Sequence, residues 1–310
     1  MISRLEFSCM GSVFTIEAER AKTLQRWLIE AEKRYSRFRT DSDISRLNVY
    51  PAGDEWIPIS VELYSILEVV LCYMVKTESL FQPFLGAQLK ALGYDRSFQD
   101  LQPEVEKKTA PAYQRGGILL HPDEPMVKKV LDVEMDLGGF VKGWSVDQIF
   151  QMTNKENVFI DGGGDMRFSF SEPQVIGVMN PFEQTTDIAQ ITVGSGAIAT
   201  SNVLHRRWQT KNGEYHHILN GQTGENPRSN VVQATVMAGN TAEAEVYAKV
   251  LCMMDAGAGA RWLKEKGIQA AAMIITDQKQ ILVTDNINDF SEGVKTAWIS
   301  QRGNGQELQA

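Results

Sequence analysis

The segment Asn240-Thr-Ala-Glu243-Ala-Glu245-Val-Tyr-Ala-Lys249 sets a carboxylate and an ammonium four residues apart. On a helix those positions are neighbours on one face, in the favourable order of acid before base. Such a pair is either an exposed ion contact contributing a few tenths of a kcal/mol or the charged part of a site. Upstream, Asp136-Leu-Gly-Gly-Phe-Val-Lys142-Gly-Trp-Ser-Val-Asp147 runs from glycines into a helical pattern. Glycines let backbone approach a ligand, helix N-terminal amides favour an anion, and Lys142 supplies a point charge suited to phosphate. The alternative is a strand-to-helix turn carrying a surface lysine.

Three further islands have the same double character. Ile160-Asp-Gly-Gly-Gly-Asp165 is either a bulged hairpin or a loop that touches phosphate. It lacks the GxGxxG spacing of a dinucleotide fold, and no GxxxxGK[ST] loop occurs in the chain. Gly196-Ala-Ile-Ala-Thr200-Ser201-Asn202, followed by His205-Arg-Arg207, reads as a polar pocket lining or as a hydroxyl-rich turn. In His216-His217-Ile-Leu219-Asn220-Gly-Gln-Thr223-Gly224 the two imidazoles are adjacent. Adjacent side chains on a strand face opposite ways, so one histidine is expected at a site and the other in solvent, with no shared metal.

The elements that must position these islands follow from periodicity. A strand pattern from Leu5 to Ala18 is broken at Gly11, and a helical stripe covers about 21–37 with Leu24, Trp27, Leu28, Ala31 and Tyr35. Ser60 suits an N-cap for a helix carrying Leu63, Leu67, Val70, Leu71 and Met74. Ser97–Pro111 is charged and aperiodic, an expected exposed excursion. Short β-rich runs follow at Gly117–His121, Val130–Val133, Val158–Ile160, Val175–Val178, Ile191–Val193, Val231–Met237, Ala271–Ile275 and Ile281–Thr284. Helical patterns occupy about 139–152, 241–255 and 257–267, and Asn240 caps the middle one with Glu243 at the capping-box position. This order predicts an α/β (α+β) protein with a mixed, largely antiparallel sheet and packed helices, rather than a regular βαβ array.

Composition bounds the function. Of 310 residues 43% are hydrophobic, enough for a large core, and 31 basic against 39 acidic residues leave a net charge of −8. That balance argues against a nucleic-acid partner. Three dispersed cysteines and four histidines support neither a disulfide framework nor a structural zinc site. No apolar stretch spans a bilayer and no secretory signal is evident, so a cytoplasmic location without membrane contact is expected.

Taken in order, the islands resemble the ApbE family of flavin transferases, which move FMN from FAD onto a hydroxyl side chain of a target protein. The likeness also takes in Cys9-Met10-Gly11-Ser12, Tyr35-Ser-Arg-Phe38, Ser42-Asp-Ile-Ser45-Arg-Leu-Asn48, Phe81-Gln-Pro83 and Leu92-Gly93-Tyr94. It runs through nearly the whole chain and implies one domain over 1–310 of T-fold-like architecture, with a small helical subregion near 60–115. By this resemblance Met10, Phe38, Leu92, Gly93, Tyr94, Asp136, Lys142, His217 and Leu219 match positions that bind FAD. Gly139 matches a backbone carbonyl that binds Mg²⁺. The family's metal-binding Asp and, four residues later, Thr fall on Glu245 and Lys249, and its Asp-Pro pair falls on Asn220-Gly221.

The resemblance therefore implies an FAD:protein FMN transferase, Mg²⁺-assisted, with Glu245 and Lys249 at the catalytic position and Glu245 and Gly139 at the metal. Its partners would be FAD and a flavoprotein with an acceptor Ser or Thr. The alternative is an FAD-binding relative impaired in catalysis, because a protonated Lys249 repels Mg²⁺ where the family has a hydroxyl.

Overall fold

The computed structural model describes all residues except 102–103, 106–111, 212, 298–299, 303–306 and 309–310. Its contacts divide the chain into two compact units. One comprises Met1–Leu28, Lys142–Arg206 and Pro227–Ala310; the other comprises Ile29–Val141 and Arg207–Asn226.

The first unit is built on a sheet of eleven described strands, antiparallel throughout except where Ile281–Val283 pairs with Ser300–Arg302. Its edge is the hairpin Ile2–Cys9 and Ser12–Glu19, closed by the two-residue turn Met10-Gly11. Both turn residues have positive φ, 51° and 67°, the geometry that matches the twist of a two-residue hairpin. Phe14, Ile16 and Ala18 alternate inward from the second strand onto Leu24, Leu28, Val146, Ile149, Phe150 and Ile160, forming one core cluster. The centre of the sheet is Asp165–Met179, Asp187–Asn202, Val231–Ala238 and Ala270–Thr276. All residues of the last two strands are buried, the composition expected where a strand is covered on both faces.

The second unit holds the helices Asp43–Val49 and Val61–Lys76, the short helix Gly86–Ala91, and two three-stranded sheets. Ser42 and Ser60 cap the two longer helices by accepting hydrogen bonds from Ser45 N and Leu63 N. Leu85, Leu89, Leu92, Tyr94, Trp208 and Leu219 form its buried cluster.

The mixed α/β class with a largely antiparallel sheet agrees with the sequence pattern; several local expectations do not. Val130–Val133 is not a strand. Met126–Lys129 takes that role; its pairing with Ile118–Leu120 ends at Ile118 opposite Lys129, and the next two amides, of Val130 and Leu131, converge on the single Gly117 carbonyl, so the ladder stops there. Thr200, Ser201 and Asn202 lie in the long strand Asp187–Asn202 rather than a turn, paired with Thr235, Ala234 and Gln233. Part of the expected excursion, 102–103 and 106–111, lies outside the described residues, but Phe98 and Leu101 pack on the Leu89–Trp208 cluster instead of standing in solvent. His216 and His217 are both half-buried, so neither is the exposed partner expected from strand alternation. The strand Gly213–His216 stops between them, and alternation stops with it. Among the described residues no helix is long and apolar enough to cross a membrane.

Candidate functional site

In the first unit, two helix starts converge on four charged side chains. The helix Thr241–Leu251 is capped twice. Asn240 Oδ1 accepts from Glu243 N, while Asp147, from the helix Val141–Gln151, accepts from Thr241 N and Ala242 N at 2.9 Å each. Those bonds tie the two helices together at the point where Gly143 meets Glu245. Gly143 N donates to Glu245 Oε2 at 2.8 Å. A Cβ on Gly143 would stand 2.8 Å from that oxygen and 2.9 Å from the Thr241 carbonyl, so only glycine permits the approach.

One turn on, Lys249 Nζ donates to Glu245 Oε1 at 2.8 Å. Asp165, at the start of the strand Asp165–Met179, is paired with Lys142. Both carboxylate side chains are only 3% exposed, against 13% for Lys142 and 15% for Lys249. Electrostatics drive the two acids apart. Burial pushes the Asp165 carboxyl up, outweighing the attraction of Lys142, and the Glu245 charge pushes the same way. Burial also acts upward on Glu245, but the Lys249 and Lys142 ammoniums and the Gly143 N–H together hold it below the usual carboxylate range. Glu245 is thus ionised, and Asp165 is the readier proton holder.

A different chemistry is assembled in the second unit. Arg37 Nε donates to Asp136 Oδ2 at 2.8 Å, and its Nη2 donates to the Tyr94 carbonyl at 2.8 Å. The guanidinium carbon lies 4.2 Å from the centre of the Phe38 ring and 5.0 Å from that of Tyr94. Tyr94 in turn stacks on Trp208 at 5.3 Å, and Trp208 Nε1 donates to the Leu92 carbonyl at 2.7 Å. Asp136 is fixed at its other oxygen, which accepts from Gly138 N at 2.7 Å. Arg37 Nη1 is buried with no hydrogen-bond partner among the described residues. Gly93 owes its type to the backbone: with φ of 100° it ends the helix Gly86–Ala91, its N–H reaching Lys90 O and that of Tyr94 reaching Leu89 O.

Of the residues expected at a site, Phe38, Leu92, Gly93, Tyr94, Asp136 and Leu219 fall on or beside this second group, and Lys142, Glu245 and Lys249 fall in the first. Met10 sits at the hairpin turn of the first unit, half-buried against its core. Gly139 lies in the turn before the helix Val141–Gln151, and His217 follows the strand Gly213–His216 in the second unit. Sequence reasoning passed over Arg37, Asp165, Gly143 and Trp208 as functional positions. Arg37 and Asp165 stood inside motifs singled out for other residues. Gly143 likewise lay inside the Asp136–Asp147 island; for Trp208 the sequence carried no distinguishing signal.

A sequence model of the ApbE family matches residues 10–274. The chain belongs to the ApbE family. Among its relatives, the FAD:protein FMN transferase of Treponema pallidum is 23% identical over 289 residues, covering 85% of this chain and 79% of the relative. That of Chlamydia pneumoniae is 26% identical over 263 residues, covering 81% and 82%. The fold is likewise that of ApbE proteins. The crystal structure of the Thermotoga maritima ApbE protein superposes with a TM-score of 0.79 at 22% identity, covering 94% of this chain and 99% of that one. The apo flavinyl transferase ApbE of Pseudomonas stutzeri gives 0.76 at 17% identity, covering 94% and 98%.

Proposed function

We propose that this ApbE protein is an FAD:protein FMN transferase, carrying FMN from FAD to a Ser or Thr hydroxyl of a target flavoprotein. The acceptor oxygen attacks the FMN-side phosphorus and the bond to the bridging oxygen breaks. AMP leaves, and the hydroxyl proton passes to solvent. The observation that carries this reading is the Lys142–Asp165 and Lys249–Glu245 cluster, whose lysine side chains are its more accessible members. Ammonium groups suit the negative oxygens of a diphosphate. The curated relatives named as FAD:protein FMN transferases add the substrate. Within the second unit, Phe38, 40% exposed, offers a ring beside the anchored Asp136 carboxylate, groups able to take an aromatic ring system. The family resemblance adds Met10, Leu92, Gly93, His217 and Leu219 as proposed FAD-contacting positions.

A divalent cation on Glu245 and the Gly139 carbonyl does not fit the residues present. Mg²⁺ takes hard oxygen ligands, yet one Glu245 oxygen accepts from Gly143 N and the other meets the Lys249 ammonium at 2.8 Å. Among the described residues no three His, Cys, Asp or Glu side chains group as metal ligands. The same Lys249–Glu245 contact favours a second reading, a protein that holds FAD without transferring it.

The test is incubation with FAD and a Ser/Thr-bearing flavoprotein acceptor, with and without Mg²⁺. AMP is followed by chromatography and covalent FMN by mass spectrometry. Equal amounts of AMP and modified acceptor support the transferase. Bound FAD with neither product identifies the holder, and no FAD binding overturns both.

A further inference from the structure

The four charges around Glu245 are two cations and two anions, and they are not equally placed. The side chains of Asp165 and Glu245 are 3% exposed, while those of Lys142 and Lys249 are 13% and 15% exposed. Each ammonium is held from behind by a carboxylate, and Glu245 is itself clamped by Gly143 N through its second oxygen. Gly143 admits no side chain, so this clamp is a built feature of the two helices. A mobile surface lysine shows neither the burial nor the fixed partner.

We propose that Lys249 is this protein's covalently tethered replacement for a divalent cation, forming with Lys142 a metal-independent diphosphate site. This rests on the FAD reading only for the identity of the diphosphate's owner. Lys249 stands one helical turn after Glu245, and its ammonium donates at 2.8 Å to the oxygen an Mg²⁺ ion would need. Each ammonium carries three N–H donors and gives one to its carboxylate partner, leaving others for the non-bridging oxygens of a diphosphate. Neither needs the bound water shell that Mg²⁺ gives up reluctantly.

The experiment uses the full chain without flavin. Mn²⁺ binding is followed by electron paramagnetic resonance, and inorganic pyrophosphate binding in EDTA by calorimetry. Wild type is expected to bind pyrophosphate in EDTA and to leave Mn²⁺ free. Lys249→Thr should bind one Mn²⁺ at least tenfold more tightly than wild type and lose that site again in Glu245→Gln/Lys249→Thr. Lys249→Met should weaken pyrophosphate at least tenfold, with Lys249→Arg retaining most of it. The isosteric neutral pair Glu245→Gln/Lys249→Met, which leaves no buried lone carboxylate, guards against reading a folding defect as lost binding. If wild type binds Mn²⁺ as tightly as Lys249→Thr, or needs Mg²⁺ to bind pyrophosphate, the proposal is overturned. Should FAD fail to bind or release AMP under any condition, the FAD reading falls, and the Mn²⁺ and pyrophosphate results still decide the role of Lys249.

Discussion

The Arg37–Asp136 contact allows a quantitative forecast. Their side chains are 3% and 14% exposed, so the pair sits in the regime where removing one partner strands a buried charge. In Arg37→Met the aliphatic stem keeps its packing. The 2.8 Å bonds to Asp136 and to the Tyr94 carbonyl are lost, as is the cation over Phe38 and Tyr94. Breaking a buried pair from one side costs about 3–5 kcal/mol. Asp136 keeps its Gly138 N–H and some solvent, which places the expected loss at the lower end, about 3 kcal/mol. Asp136→Asn alone should cost about 2 kcal/mol, since the amide oxygen can retain the Gly138 bond. The double variant should cost less than the sum, with a coupling of about 1.5 kcal/mol or more. Urea denaturation of all four proteins, followed by tryptophan fluorescence and circular dichroism, measures the cycle. Costs that add to within about 0.5 kcal/mol would show that the two charges are not coupled and refute the reasoning.

Two further outcomes are expected. Burial, with the Arg207 charge adding to it, pushes His216 down to about 4 from its ordinary 6.5, and its Nδ1 accepts from Ile218 N. The folded value lies below the unfolded one. The neutral ring's contribution, about 3 kcal/mol at most, is therefore complete above pH ~6.5 and is lost as pH falls towards 4. The difference in stability between wild type and His216→Gln should carry that pH dependence, and a pH-independent difference would count against it. Comparing the two proteins cancels the opposite trend of Asp165, whose raised carboxyl value favours the folded state at lower pH. At Gly221, where the family has proline, the backbone N–H donates to Leu80 O at 2.8 Å, and a Cβ would stand 2.3 Å from Ser79 O and 2.5 Å from Leu80 O. Gly221→Pro should destabilise by about 3 kcal/mol or more, read as a lower melting temperature, and an unchanged melt would contradict the packing.

Much of the local structure was legible because its signals are local. Ser60 and Asn240 cap helices as their side chains predict, and the Met10-Gly11 break is a hairpin turn. The triple glycine is a hairpin too, with Asp161 Oδ1 accepting from Gly164 N. Strand pairing was less legible. Val130–Val133 has a strand composition, but whether a partner continues opposite it depends on residues elsewhere in the chain. Two of the four boundaries between the compact units were equally hidden, since they fall inside the helices Ala21–Tyr35 and Val141–Gln151, where composition does not change.

The sequence by itself determined the class of architecture, the family resemblance and the i,i+4 placement of Glu245 and Lys249, because periodicity, caps and motif spacing are properties of contiguous residues. Whether that pair is a solvated ion contact or a buried one was not a local property. It required Gly143, 102 residues away, to bring a bare backbone amide onto Glu245 Oε2, and Asp165 to lie beside Lys142. Burial and long-range charge decide what an acid and a base one helical turn apart can do, and both exist only once the chain has folded.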